Sequence, residues 1–226
     1  GKNSALINNT SFALQARSVV KSNTITLNGG FTRNNISAQM LGPNADCDLK
    51  GLYLVDRVQH VDNHVFVDHI SPQCSSNQLF KGILDDEARA VFSGKILVRK
   101  DAQQTNAFQS NRNILLTDDA RINTKPFLEI YADDVKCSHG ATVGQLDPEA
   151  MFYLRSRGLC ERSARQLLMY AFAAEVVNQI SIEPLRERIN GLVDKRLKGE
   201  LSICDQCVLH CNSKEPTAFD IDMSKI

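Results

Sequence analysis

A chain of 226 residues that is 42% hydrophobic and 23% charged can bury a real core, which argues against a chain disordered throughout. Its 26 basic and 26 acidic side chains cancel, leaving no basic excess with which to grip nucleic acid or an anionic membrane. There is no Trp, and Phe and Tyr are modest in number, so no base-stacking platform is indicated.

No apolar run approaches the roughly 20 residues needed to span a bilayer. Gly1-Lys2-Asn3-Ser4 leads into polar, Asn-rich sequence instead of the apolar segment of a secretory signal. Seven cysteines, an odd number at irregular spacing, argue for reduced thiols or metal ligands in a cytoplasm and against a disulfide framework. The opening reads as mid-domain sequence, so the chain is expected to be part of a longer protein.

Up to about Gly144 the pattern is short strands punctuated by turns. Ser22-Asn23 precedes a strand over Thr24-Ile25-Thr26-Leu27, which ends at Asn28-Gly29-Gly30. Leu52 to Val55 follows Leu49-Lys50-Gly51, and the run Ala90 to Val98 places Phe92, Ile96 and Val98 on one face. Further strands are predicted at Asn113 to Leu116 and Phe127 to Tyr131. Asp85-Asp86, Asp118-Asp119 and Asp133-Asp134 suit turns, because Asp bonds its own neighbouring backbone. No helical period of useful length interrupts these strands, which leaves a sandwich, a barrel or a β-solenoid. The turn spacings are unequal, so no strict repeat emerges.

The character then changes. Asp147-Pro148-Glu149 combines an N-cap acceptor, a first-turn Pro and a carboxylate at the positive end of the helix dipole. The helix it starts should run to about Arg157 and stop at Gly158. A second helix is predicted from about Glu161 to Gln179, with Ala164, Leu167, Leu168, Ala171 and Phe172 at helical spacing. A third begins near Pro184 and presents Leu185, Ile189, Leu192, Val193 and Leu197 until Gly199. The chain thus divides into a β core over 1–146, a helical region over 147–199 and a Cys-rich, polar tail over 200–226.

The stretch Tyr131-Ala132-Asp133-Asp134-Val135-Lys136-Cys137-Ser138-His139-Gly140-Ala141-Thr142-Val143-Gly144 resembles the SufD family, subunits of the SufBCD iron–sulfur cluster assembly system. So does the run from Asp147 through Met151-Phe152-Tyr153-Leu154-Arg155-Ser156-Arg157-Gly158. Upstream, Ser76-Asn77-Gln78-Leu79, Arg89-Ala90-Val91-Phe92-Ser93-Gly94 and Thr124-Lys125-Pro126 before Leu128-Glu129-Ile130 look like the same family. The related SufB sequences tend to carry a more acidic, His-containing segment where this chain has Lys136 to Gly144.

The resemblance implies a right-handed parallel β-helix followed by helices packed at its end, with an N-terminal helical region lying outside this chain. It implies a non-catalytic, cytoplasmic subunit that pairs with a SufB-like subunit through the β-helix. Its C-terminal helices would bind a SufC-like ATPase, with Phe152, Tyr170 and Phe172 as candidate contacts. No phosphate-cradling Gly-rich loop is present, so ATP chemistry would belong to the partner. No tightly bound cofactor is expected in the isolated chain; iron or an iron–sulfur cluster would be met transiently at the interface. An isolated chain could pair with itself as a homodimer. The rivals are a SufB-like scaffold that nucleates the cluster and a β-helical polysaccharide-active enzyme.

Cys137 and His139 stand two apart, so on a strand both point to one face, where a soft thiolate and an imidazole can hold iron. Spacing alone favours a buried thiol and a hydrogen-bonded turn histidine. The resemblance reverses that preference, because matching SufD positions lie at the SufB interface. His60, His64 and His69 are close in sequence, but alternation puts His69 on the opposite parity and spoils a metal triad. The acidic pairs could act as acid and base of a polysaccharide enzyme, but each has an ordinary turn role. Cys160 reads as a mediocre N-cap in preference to an activated thiol. In the tail, Cys204, Cys207, His210 and Cys211 are candidate metal ligands, although the second ligand pair of a complete zinc site does not follow.

Overall fold

The computed structural model describes residues 4–198. Along the chain come strands β1 (Ala5–Leu14), β2 (Val19–Thr26), β3 (Phe31–Met40), β4 (Asp46–Val55), β5 (His60–His69), β6 (Ser75–Leu84), β7 (Arg89–Val98), β8 (Thr105–Leu115), β9 (Arg121–Ile130) and β10 (Val135–Gly144). Helices α1 (Pro148–Ser156), α2 (Glu161–Val177) and α3 (Glu183–Lys198) follow. Odd strands form one sheet in the order β1-β3-β5-β7-β9 and even strands the other, β10-β8-β6-β4-β2. Every pairing within them is parallel. The chain alternates between the sheets, so each odd–even pair is one rung of a β-solenoid of about five turns, the alternative left open with sandwich and barrel. None of the described helices is long and apolar enough to cross a membrane.

The rung length drifts, which hides the repeat from the sequence. Side chains bonded across adjacent rungs are 26 residues apart at Ser37–Ser11, 29 at Asn34–Asn63 and 31 at Gln78–Gln109. The corners themselves are stacked. Arg17, Asn44, Gln73 and Gln104 all have positive φ, and each N–H donates to a carbonyl of the next corner: Pro43, Pro72, Gln103 and Asp134. At the opposite corners Arg57 and Asp86 also have positive φ, and Asp86 Oδ2 accepts the Arg57 N–H at 3.0 Å. Asp85-Asp86 therefore does the turn work expected of it.

Alternation sends every second side chain into the lumen. Phe92, Ile96 and Val98 are buried there, as their spacing predicts, with Met40, Tyr53, Phe80 and Leu84. In-register neighbours alternate large with small. The Phe80 ring lies where a Cβ on Gly51 would stand 2.2 Å from it, and the Tyr53 ring excludes a Cβ on Gly82 at 2.1 Å. Toward β8 the lumen becomes polar: Asn111 Nδ2 donates to the Tyr53 hydroxyl and to the Phe80 carbonyl, both at 3.1 Å. Tyr53 in turn donates to Asn113 Oδ1. Such lumenal polar residues broke the apolar alternation, so β3, β5 and most of β8 carried no readable strand signal.

The helices begin as their signals require. Asp147 Oδ1 accepts the N–H groups of Glu149 at 2.8 Å and Ala150 at 3.3 Å, and Gly158 has φ +94°. Their docking differs from expectation. They do not cap the solenoid's end; α2 and α3 lie along its flank, on the outer face of the even sheet. Leu52, Leu54 and Ile83 point outward from β4 and β6 and are buried beneath Met169, Ala173, Val176, Val177, Val193 and Leu197. The cause is legible afterwards: β4 is apolar on both faces, so it needs a cover on each. Burying a Leu or Ile side chain is worth about 1.5–3 kcal/mol.

Two cations fix this layer. Lys81 Nζ lies 4.1 Å from the Phe172 ring centroid, donates to the Phe172 carbonyl at 3.0 Å and pairs with Glu175. Arg196 of α3, 1% exposed, meets Asp56 at the β4–β5 corner through two hydrogen bonds of 2.7 and 3.0 Å. Removing one member of a buried ion pair strands the other, at about 3–5 kcal/mol. Arg196→Ala is therefore expected to destabilise the chain by about 3 kcal/mol or more in urea unfolding. The double variant Asp56→Ala/Arg196→Met should recover part of that loss; a single variant within 1 kcal/mol of wild type would refute the clamp.

His69 supplies a pH test. It is fully buried in the lumen, with Nε2 2.8 Å from Ser76 Oγ, and burial pushes its pKa down to about 4. The unfolded chain, at an ordinary value near 6.5, takes up the proton first. His69 therefore contributes stability above about pH 6.5 that is lost as pH falls toward 4. Relative to His69→Gln, the wild type should lose about 3 kcal/mol between pH 7 and pH 4, measured by denaturant titration at each pH.

Candidate functional site

The solenoid ends on β9 and β10, each hydrogen-bonded to a neighbouring strand along one edge only among the described residues. At this end, as at the β1–β2 end, inward-column side chains meet solvent, and Cys137 and His139 are among them. β10 runs in register with β8, pairing Cys137 with Ala107 and His139 with Gln109. Ala107 and Gln109 are buried, so Cys137 and His139 belong to the same inward columns, one rung further out. The predicted common face is thus present, and it lies at the open end.

The two residues differ in setting. Cys137 is half-buried and packs against the cluster of Ile96, Val98, Ala102, Ala107 and Ala132. Burial raises its thiol pKa, with a smaller lowering from the Ala107 backbone, so at neutral pH it is a protonated packing group. His139 is exposed. A Cβ on Gly140 or Gly144 would meet nothing within 4 Å, so the backbone on this side is open to close approach. Two buried polar atoms sit nearby on the last two rungs without a hydrogen-bond partner: Gln109 Oε1 on β8 and Thr124 Oγ1 on β9. Neither was singled out from sequence, because only the strand register reveals that they adjoin His139's end of the lumen.

The remaining candidates are dispersed. Phe152 on α1 is 75% exposed, with Tyr153 beside it at 57%, whereas Tyr170 and Phe172 are half-buried and pack into the helix–sheet cluster. His60 stacks near Phe31 and His64 pairs with Asp62 at 2.8 Å on the outer face of the odd sheet, while His69 faces the lumen. Among the described residues no three His, Cys, Asp or Glu side chains converge as a metal site. Cys160 caps α2 without bonding its backbone; its thiol lies 3.2 Å from Ser163 Oγ, and that contact lowers its pKa. Cys204, Cys207, His210 and Cys211 lie outside the described residues, as does Gly199.

Comparison with known proteins identifies the family. Residues 1–172 match the family model described as SUF system FeS cluster assembly, SufBD core domain. The iron–sulfur cluster assembly protein SufD of Escherichia coli K12 is 42% identical over 178 residues, covering 79% of this chain and 42% of that protein. An iron–sulfur cluster assembly SufBD family protein of Synechocystis is 44% identical over 172 residues, covering 76% of this chain and 38% of the relative. Protein ABCI7, chloroplastic, of Arabidopsis thaliana is 37% identical over 172 residues, covering 75% of this chain and 36% of its own length. The chain thus spans less than half the length of these relatives. It belongs to the SufBD core-domain family of iron–sulfur cluster assembly proteins.

Proposed function

We propose that this chain acts as a non-catalytic, SufD-like assembly subunit, pairing with a SufB-like partner at the β9–β10 end and presenting His139 there to iron or a forming cluster. The observation that carries the reading is the position of His139: exposed, on a strand with one free edge among the described residues, inside the segment that matches the SufBD core. A free parallel edge is a row of unmet N–H and C=O groups, which a strand from another chain can satisfy. Iron or the cluster is the cargo of this junction. Neutral imidazole is a suitable ligand for it, and a partner's soft side chains would complete the coordination. Cys137 serves mainly as packing beside it. In the absence of a SufB-like partner the same edges would allow two copies to pair. The odd number of cysteines, seven, supports a reducing compartment such as the cytoplasm for this work.

His139→Ala should leave folding and partner binding nearly intact while iron and sulfide on the reconstituted complex fall to background. Cys137→Ala should lower them less. Equal iron and sulfide content in wild type and His139→Ala would remove His139 from the site.

The helices are read as the seat of a SufC-like ATPase. Phe152 is the contact residue of choice, because α1 contributes no buried residue to the fold and still carries two exposed aromatic rings. Tyr170 and Phe172 act from beneath, by holding α2 on the flank. Phe152→Ser should weaken ATPase-subunit binding by about tenfold or more, the scale of an interface anchor, without lowering the melting temperature. Undiminished binding in titration calorimetry would place that partner elsewhere.

A further inference from the structure

Gln109 occupies the inward column of His139, one rung back. β8 sets it opposite His139 on one side and opposite Gln78 of β6 on the other. The side chain is 3% exposed, and its Nε2 donates to Gln78 Oε1 at 2.7 Å, which commits one end of the amide. The other end, Oε1, is buried with no hydrogen-bond partner. Gly94 across the lumen makes room for this pose: a Cβ there would stand 2.3 Å from Nε2 and 2.9 Å from Oε1. An acceptor is therefore held ready beside the terminal rung.

Neutral imidazole carries one N–H and one lone pair, and the partner of the N–H decides which nitrogen is left to ligate. In-register neighbours on adjacent strands are about 4.8 Å apart. Along this solenoid such neighbours already bridge that gap with a single side-chain bond: Asn34 to Asn63 at 2.9 Å, Asn35 to Asn9 at 2.7 Å, and Gln109 to Gln78. We infer that Gln109 is the positioning residue for His139: its Oε1 accepts the imidazole N–H, selecting the tautomer whose other nitrogen faces out of the solenoid's end toward the metal. The exposed ring turns toward the lumen to make this bond, extending the amide column by one member. The inference rests on the reading of His139 as an iron ligand.

Nitrogen-15 NMR of the His139 imidazole, at a pH well above histidine's ordinary 6.5, reads the tautomer ratio directly. The signal is assigned by its loss in His139→Asn. Gln109→Met keeps the side chain's bulk and removes the acceptor; it should shift the ratio by about tenfold, the effect of one hydrogen bond. It should also weaken ferrous iron retention by the reconstituted complex about tenfold or more, as loss of a ligand's hydrogen-bond partner does. Thr124→Val, which removes the other unpartnered atom near this end, should leave the ratio unchanged. An unaltered ratio in a Gln109→Met protein with wild-type circular dichroism overturns the inference. So does an altered ratio with full iron retention, provided that His139→Ala loses iron. Iron retention by His139→Ala itself would instead overturn the iron-ligand reading, whatever the tautomer does.

Discussion

The in-register parallel ladder is the interaction on which everything else here depends. Each strand except the outermost meets its backbone needs on both edges, so lumenal side chains stack in columns one rung apart. Those columns give the interior its order: ring over glycine at Phe80–Gly51 and Tyr53–Gly82, amide on amide at Gln78–Gln109. They also concentrate unmet bonding capacity at the ends. Among the described residues each end of the solenoid has strand edges without a neighbour, and His139 stands at one of these ends. The proposed partner contact thus falls where the fold leaves backbone bonding capacity unmet.

The flanking helices follow from a second consequence of the same ladder. A parallel sheet with apolar residues on both faces must be covered twice. The lumen covers one face of β4 and β6, and α2 with α3 covers the other. The cover is directional because Lys81 and the Asp56–Arg196 pair allow one seating of the helices. With α2 and α3 committed to that seating, α1 is left without a buried residue and Phe152 faces outward.

Much of this was legible in the residues. The switch from strand to helix at Asp147, the Gly158 stop and the lumenal face of Phe92, Ile96 and Val98 follow from local chemistry that tertiary contacts do not disturb. The family resemblance singled out His139 and Cys137, and the spacing of two put them on the one face that the register shows. The repeat was not legible, because its length changes along the chain and because Asn34, Asn63, Gln109 and Asn111 stand at lumen positions where alternation leads one to expect apolar side chains. Pro43-Asn44 and Pro72-Gln73 were the available signal, two breaker pairs at equivalent corners. The flank docking was illegible for a different reason: a helix's apolar stripe says that it must be covered, not by which surface.

The drift in rung length has a further effect. In a perfectly periodic solenoid, a strand displaced by one whole repeat finds nearly the same neighbours, and the chain can fold out of phase with itself. Here a whole-rung displacement would bring together corners separated by different lengths of chain. It would also take Tyr53 off Gly82 and Phe80 off Gly51, and it would part Asp56 from Arg196. The irregularity that conceals the repeat from a reader also gives every rung an address, so the terminal rung that carries His139 can be only the terminal rung.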